Sequence, residues 1–262
     1  MRSMNEKITL SGVPETMLQT VYARAKESRT RGAIHDAKAE ELIDKLDYDF
    51  SLADKDAAMH SGVIARTIVL DALTQTYLEK HHGAVVVNIA CGLDTRCCRV
   101  SGYSHWYNLD LPETIAVRKR IMPESGSVSQ IAMSAMDDWG SLIAEAGAPA
   151  LVIIEGLTMY LSQADVQRIF AVIAARFESV TVFVELSAVR GQQRRRTQRS
   201  FLGKVARPLF RQSSSSPCAL RMGMIQYHSL SCMFTLMPLT STPPSAGMRM
   251  YFRPFITRVS IR

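Results

Sequence analysis

The chain has 262 residues, 47% of them hydrophobic, with 14 Gly, 10 Pro, 5 Cys and a formal net charge of +7. That composition excludes a disordered, collagen-like or disulfide-stapled chain. The length suits one large domain or two small ones, with room for a sizeable core.

Residues 14–80 read as helical. Pro14 opens a first helix that runs through Met17, Leu18 and Val21 to Ala25. A second, around Asp36–Leu46, sets Ala39, Leu42, Ile43 and Leu46 on one stripe. A third follows Met59, with Ile64, Ile68, Ala72 and Leu73 at helical spacing. Ala84–Ile89 then changes the rhythm to a short, continuously apolar, β-branched run, the pattern of a strand buried on both faces. Further strands are expected at 105–109, 128–133, 151–154 and 180–184, with helices near 112–121, 138–146 and 163–177 between them. Ser162 with Asp165 three residues on is a capping-box signature, and Val166, Ile169, Phe170, Ile173 and Phe177 share one face. Strands alternating with helices predict an α/β fold with a doubly wound, mostly parallel sheet.

The rest of the chain does not follow this logic. All 24 acids lie at or before Glu185, so residues 1–185 carry 18 bases against 24 acids. Residues 186–262 hold 12 Arg, one Lys and no acid. Such a tail fits a disordered basic segment, a nucleic-acid-binding arm, or a stretch read out of its original frame. We therefore expect three regions: a helical cap over 1–80, a ligand-binding α/β unit over 81–185, and an anomalous tail over 186–262. No run of 18 apolar residues suggests a membrane span, and the first residues lack the apolar core of a signal peptide. A cytoplasmic chain with reduced thiols is expected. No two His or Cys share metal-ligand spacing, adjacent Cys97-Cys98 being poor chelators, so no metal is expected.

In an open α/β sheet, ligands bind beyond the carboxyl ends of the strands. Asn88–Arg99 reads NIACGLDTRCCR. It is not a G-x-G-x-x-G loop and nothing in it is shaped for a pyrophosphate. Gly92 removes a Cβ where the backbone turns. Eighteen residues later, Asp110 ends the next strand, placed to accept both hydroxyls of a ribose. A nucleoside without phosphates, such as S-adenosylmethionine (SAM), fits that pair better than NAD or FAD.

Three segments together carry a family resemblance: Asn88–Arg99, Tyr107–Glu113 (YNLDLPE) and Ile154–Leu161 (IEGLTMYL). In order and spacing they resemble the leucine carboxyl methyltransferase family, SAM-dependent O-methyltransferases that include polyketide-modifying enzymes of the tetracenomycin type. The resemblance covers residues 10–185 and implies a Rossmann-like SAM-binding fold. It implies cofactor contacts from Arg66 to the methionine carboxylate, from Ala90 and Gly92 in the first loop, and from Asp110 to the ribose. It further implies that Met136 packs on adenine and that Glu155 faces the sulfonium or the amino group. Asp138-Trp139 matches the family near the adenine, whereas Ala135 stands where many members have an acid. Tyr160 is expected to face the core, and His60 and His105 are the histidines nearest the site. The implied reaction is methyl transfer to a carboxylate or hydroxyl of a small-molecule acceptor, with no catalytic residue identified. An inactive remnant lacking its C-terminal part, or a nucleic-acid-binding protein on the same scaffold, stays open as an alternative.

Overall fold

The computed structural model describes residues 15–145, 147–186 and 255–261. Four helices come first: α1 (Glu15–Thr30), α2 (Ala37–Lys45), α3 (Ser51–Lys55) and α4 (Ala57–Lys80). Strands β1 (Val85–Ile89) and β2 (His105–Asp110) follow, then α5 (Pro112–Ile121), β3 (Val128–Ala132), β4 (Ala150–Ile154), α6 (Gln163–Arg176), β5 (Val180–Leu186) and β6 (Phe255–Ile261).

Local chemistry sets the helix ends. Asp56 caps α4 by accepting the Met59 N–H at 2.8 Å. Pro112 opens α5, whose last turn carries Arg118, Lys119 and Arg120 against the negative end of the helix dipole. The Ser162–Asp165 box opens α6 as expected, with the Ser162 N–H reaching the Asp165 carboxylate at 2.9 Å.

The sheet order is β3-β2-β1-β4-β5-β6. The first five strands are parallel, so β1 lies at the centre with crossovers leaving in both directions. All five residues of β1 and of β4 are buried, which explains their unbroken apolar sequence. Val85, Val87 and Ile89 point to one face, where Val166, Ile169 and Ile173 of α6 cover them. Val86 points to the other, beneath Leu70, Tyr77 and Leu78 of α4. Helices α1 and α2 form a separate apolar cluster with Leu93 and with Ile121 and Met122 at the end of α5.

Four differences from the sequence expectations stand out. The stretch expected as a helix near 138–146 makes only a short 3-10 turn, Trp139–Leu142, in which Trp139 serves as a core plug. The five-residue α3 has no apolar period to announce it. Tyr160, expected to face the core, is exposed, because Thr158–Tyr160 is a 3-10 turn on the sheet rim. Finally, residues 255–261, within the stretch set apart as a tail, pair antiparallel with β5 from Phe255 opposite Leu186 to Ile261 opposite Val180. The β5 edge is thereby covered. The expectations for residues 187–254 lie outside the described residues.

Candidate active site

The site residues gather at the carboxyl ends of the parallel strands. Chain reversal in the sheet order occurs between β1 and β4, the position where an open α/β sheet leaves a crevice. The loop after β1 supplies Ala90 and Gly92, β2 ends in Asp110, Met136 follows β3, Glu155 follows β4, and Glu185 lies near the end of β5. Arg66 reaches this rim from α4.

The loop after β1 departs from ordinary backbone geometry at once. Ala90 has φ 55° and Gly92 φ 47°, left-handed conformations that are costly for a residue with a Cβ. A Cβ on Gly92 would also lie 3.1 Å from Cγ of Met17. Buried cations hold this geometry. The Gly92 carbonyl accepts from Arg118 Nη1 at 2.9 Å, and the Leu93 carbonyl accepts from Arg24 Nη2 at 2.8 Å. On the opposite side, the Gly92 N–H donates to Asp110 Oδ2 at 2.8 Å. The other Asp110 oxygen accepts the Leu111 N–H at 2.8 Å. The Thr114 side chain also bonds this carboxylate, which keeps acceptor capacity for a further hydroxyl. Burial pushes the Asp110 carboxyl above its ordinary value, with the Gly92 and Leu111 N–H groups opposing.

Arg66 sits between two carboxylates. Its Nε lies 2.7 Å from Glu155 Oε1 and its Nη1 3.5 Å from Glu185 Oε1. The Nε contact with Glu155 is a short ion pair in which the N–H is poorly aligned with the oxygen. Glu155 is held from its other side by Arg96 Nη2 at 2.8 Å. Burial alone would raise the Glu155 carboxyl; Arg96 and Arg66 overcome it and keep the group below its usual value, hence ionised. Glu185 shares only Arg66 and accepts the Gly156 N–H at 2.9 Å. There burial wins, and its carboxyl is raised.

Beneath these groups lies an ion lattice that sequence reasoning missed. Arg96 contacts Asp71, Asp94 and Glu155 at 2.7, 2.7 and 2.8 Å. Arg99 bridges Asp71 and Asp36. Asp36 caps α2 through Oδ1 while its Oδ2 receives Arg24, Thr95 and Arg99. Burial opposes ionisation of Asp94, yet Arg96, Arg99 and Arg24 drive its carboxyl far below the normal range. Asp94, Thr95, Arg96 and Arg99 all stand inside the quoted loop segment, but their role depends on Asp36 and Asp71, distant in sequence. No local spacing signals that.

The remaining candidates divide cleanly. Ala90, Ala135, Met136 and Leu157 pack along the upper edge of the α6-side core, giving the rim an apolar flank. Trp139 is fully buried, its Nε1–H donating to the Ala135 carbonyl at 3.0 Å, so it shapes this flank from below. His60 is buried against Glu27 at 2.8 Å. His105 opens β2 at the amino end, opposite the rim, and contacts Ser129. Neither histidine belongs to the site.

The leucine carboxyl methyltransferase family model matches residues 17–174. The chain is 41% identical over 169 residues to the tetracenomycin polyketide synthesis O-methyltransferase TcmP of Streptomyces glaucescens, covering 62% of this chain and 61% of that protein. It is 30% identical over 198 residues to the S-adenosyl-L-methionine-dependent methyltransferase dpfgK of Gibberella zeae, covering 69% and 66%. The chain thus spans just under two thirds of the length of these relatives. A crystal structure of a Thermobifida fusca protein assigned as a methyltransferase shares the fold at a TM-score of 0.51 and 13% identity, covering 96% of this chain and 99% of the other. The chain belongs to the leucine carboxyl methyltransferase family.

Proposed function

We propose that this chain is a SAM-dependent O-methyltransferase acting on a small-molecule acceptor. The observation that carries this is the pairing of opposite charges on one rim. Arg66 offers a guanidinium for the methionine carboxylate, and Glu155, with Glu185 beside it, offers negative charge for the ammonium. A zwitterion meets both, its carboxylate on the guanidinium and its ammonium on the glutamates. Asp110 would hold the ribose hydroxyls, and Ala90 and Met136 would flank the adenine. When bound, the cofactor supplies an electrophilic methyl group on a sulfonium.

The work left to the protein is alignment of the acceptor oxygen with that methyl and exclusion of water. Loop carbonyls fixed on Arg24 and Arg118 keep the backbone beside the cofactor from shifting. His60 and His105 are engaged elsewhere, so neither serves as a base for an alcohol acceptor, and a carboxylate acceptor needs none. The relative named as a polyketide O-methyltransferase supports an oxygen acceptor. Helices α1 to α4 act in this reading as the helical cover of residues 1–80 expected from the sequence, and residues 81–185 as the cofactor-binding unit. The reading places the enzyme in the cytoplasm; among the described residues no helix is long and apolar enough to cross a membrane.

Isothermal titration of the full chain with SAM tests the proposal. Micromolar binding, weakened about 10–100-fold by Arg66→Ala, is expected; absence of heat at that concentration with a folded wild-type protein would remove it.

A further inference from the structure

Cys97 and Cys98 are unused by this mechanism, and their setting is unusual. They form the 3-10 turn Arg96–Cys98 with their sulfurs 3.9 Å apart. Cys97 is buried, its thiol 3.6 Å from Glu124 Oε1 and its carbonyl accepting from Tyr103 at 2.9 Å. Cys98 is exposed. The flanking residues are Arg96 and Arg99, the two guanidiniums that tie Asp71, Asp94, Asp36 and Glu155 together.

We propose that Cys97 and Cys98 are a modification site, a vicinal dithiol that hydroperoxides oxidise to a disulfide, loosening the ion lattice under the site. The exposed sulfur meets the oxidant and the buried one resolves it. The Cys98 thiolate attacks the peroxide oxygen, the O–O bond breaks, and the alkoxide or hydroxide departs with a proton from solvent. The Cys97 sulfur then attacks the sulfur of the Cys98 sulfenic acid. An S–S bond forms, the S–O bond breaks, and water leaves carrying the Cys97 proton. Two thiols lose two electrons; the peroxide gains them. The neighbouring Cys97 sulfur lowers the Cys98 thiol below its ordinary value, which favours the reactive thiolate.

Closure has a structural consequence. A disulfide needs its sulfurs about 2 Å apart and Cα atoms usually beyond about 4.4 Å, whereas neighbouring residues are held near 3.8 Å. The turn must therefore unwind, and the Arg96 and Arg99 backbones are pulled with it. Such a strained bond is readily reduced, as a reversible switch requires.

Trypsin cleaves after Arg96 and Arg99, releasing the tripeptide Cys97-Cys98-Arg99 from the full chain. After hydrogen peroxide and thiol blocking, we expect this peptide unalkylated and two hydrogens lighter than the reduced form, reverting with dithiothreitol. Oxidation should lower Tm by about 2–4 °C in the wild type and leave Cys98→Ser unmoved. The peptide recovered doubly alkylated, carrying sulfinic acid, or joined to Cys91, Cys218 or Cys232 would overturn the proposal, as would an unchanged Tm on disulfide formation. The site's link to cofactor affinity rests on the SAM reading. A tenfold weaker SAM affinity on oxidation is expected, and a chain that binds SAM in neither form would refute that reading while the peptide still decides the dithiol.

Discussion

The two faces of the central sheet solve different problems. Under α6 the fully buried residues, Ile173 and Trp139 among them, are apolar, and charged contacts such as Arg176 with the Ile143 carbonyl lie at the edge. The α4 side begins the same way, around Trp106 and Leu151, but toward the strand ends it fills with buried Asn88, Asn108, Arg96 and Arg118. Burying a guanidinium is unfavourable unless every partner is in place, so this side is poor material for stability alone. What it provides is position: the left-handed loop after β1 is clamped by carbonyl contacts that an apolar core cannot make. One face is built for strength and the other for placement.

Mutations that separate the two roles test that contrast. Arg96→Ala should have the largest effect, costing about 3–5 kcal/mol because three carboxylates lose their shared cation. Chemical denaturation would measure it, and the surviving folded protein should bind SAM poorly. Ile173→Ala, on the opposite face, should cost about 2–5 kcal/mol through its cavity while leaving SAM affinity unchanged. Equal losses of affinity in both variants would erase the distinction. Arg66→Ala reverses the pattern: a 10–100-fold loss of SAM affinity, equivalent to a charged hydrogen bond of roughly 1.5–3 kcal/mol, with a small change in melting temperature. Gly92→Ala should cost about 1–2 kcal/mol, since the left-handed backbone penalises any Cβ and Met17 must shift. Ser162→Ala, which opens the α6 box, should cost about 1 kcal/mol and touch nothing at the site.

The acid dependence should also differ. Asp94, Asp36 and Glu155 have depressed carboxyls in the fold, so their stabilisation is complete above the ordinary carboxylate range and is lost as pH falls through it. Glu185 runs the other way: its raised carboxyl makes the fold gain stability as pH drops from neutral toward the ordinary glutamate value. Urea titrations from pH 7 to 3 should show a slight rise before the collapse. Glu185→Gln should remove the rise and keep the collapse.

The sequence made some of this legible and hid the rest for identifiable reasons. Continuous apolar runs announced β1 and β4, and a Ser–Asp spacing announced α6, because those signals are local. Gly92, Asp110 and Glu155 could be singled out because each sits in a short motif, and Arg66 only because the family resemblance pointed to it. Glu185 served only as the last acid of the chain, though it is the second neighbour of Arg66. Asp36 marked only the start of an expected helix; it caps that helix, and its second oxygen organises Arg24, Thr95 and Arg99. Such double duty arises from contacts between residues far apart in sequence. The apolar turn around Trp139 mimicked a helix because a large buried ring needs no period.

The antiparallel strand β6 also bears on the order of assembly. Strands β1 to β5 find their neighbours through crossovers of ordinary length, whereas β6 pairs with β5 from far along the chain, Phe255 lying opposite Leu186. Loop closure grows costly only slowly with length, but it retards the step that awaits it. Strand β6 should therefore join last on refolding and leave first on unfolding. The β5 amides facing it should exchange hydrogen well before those of β1.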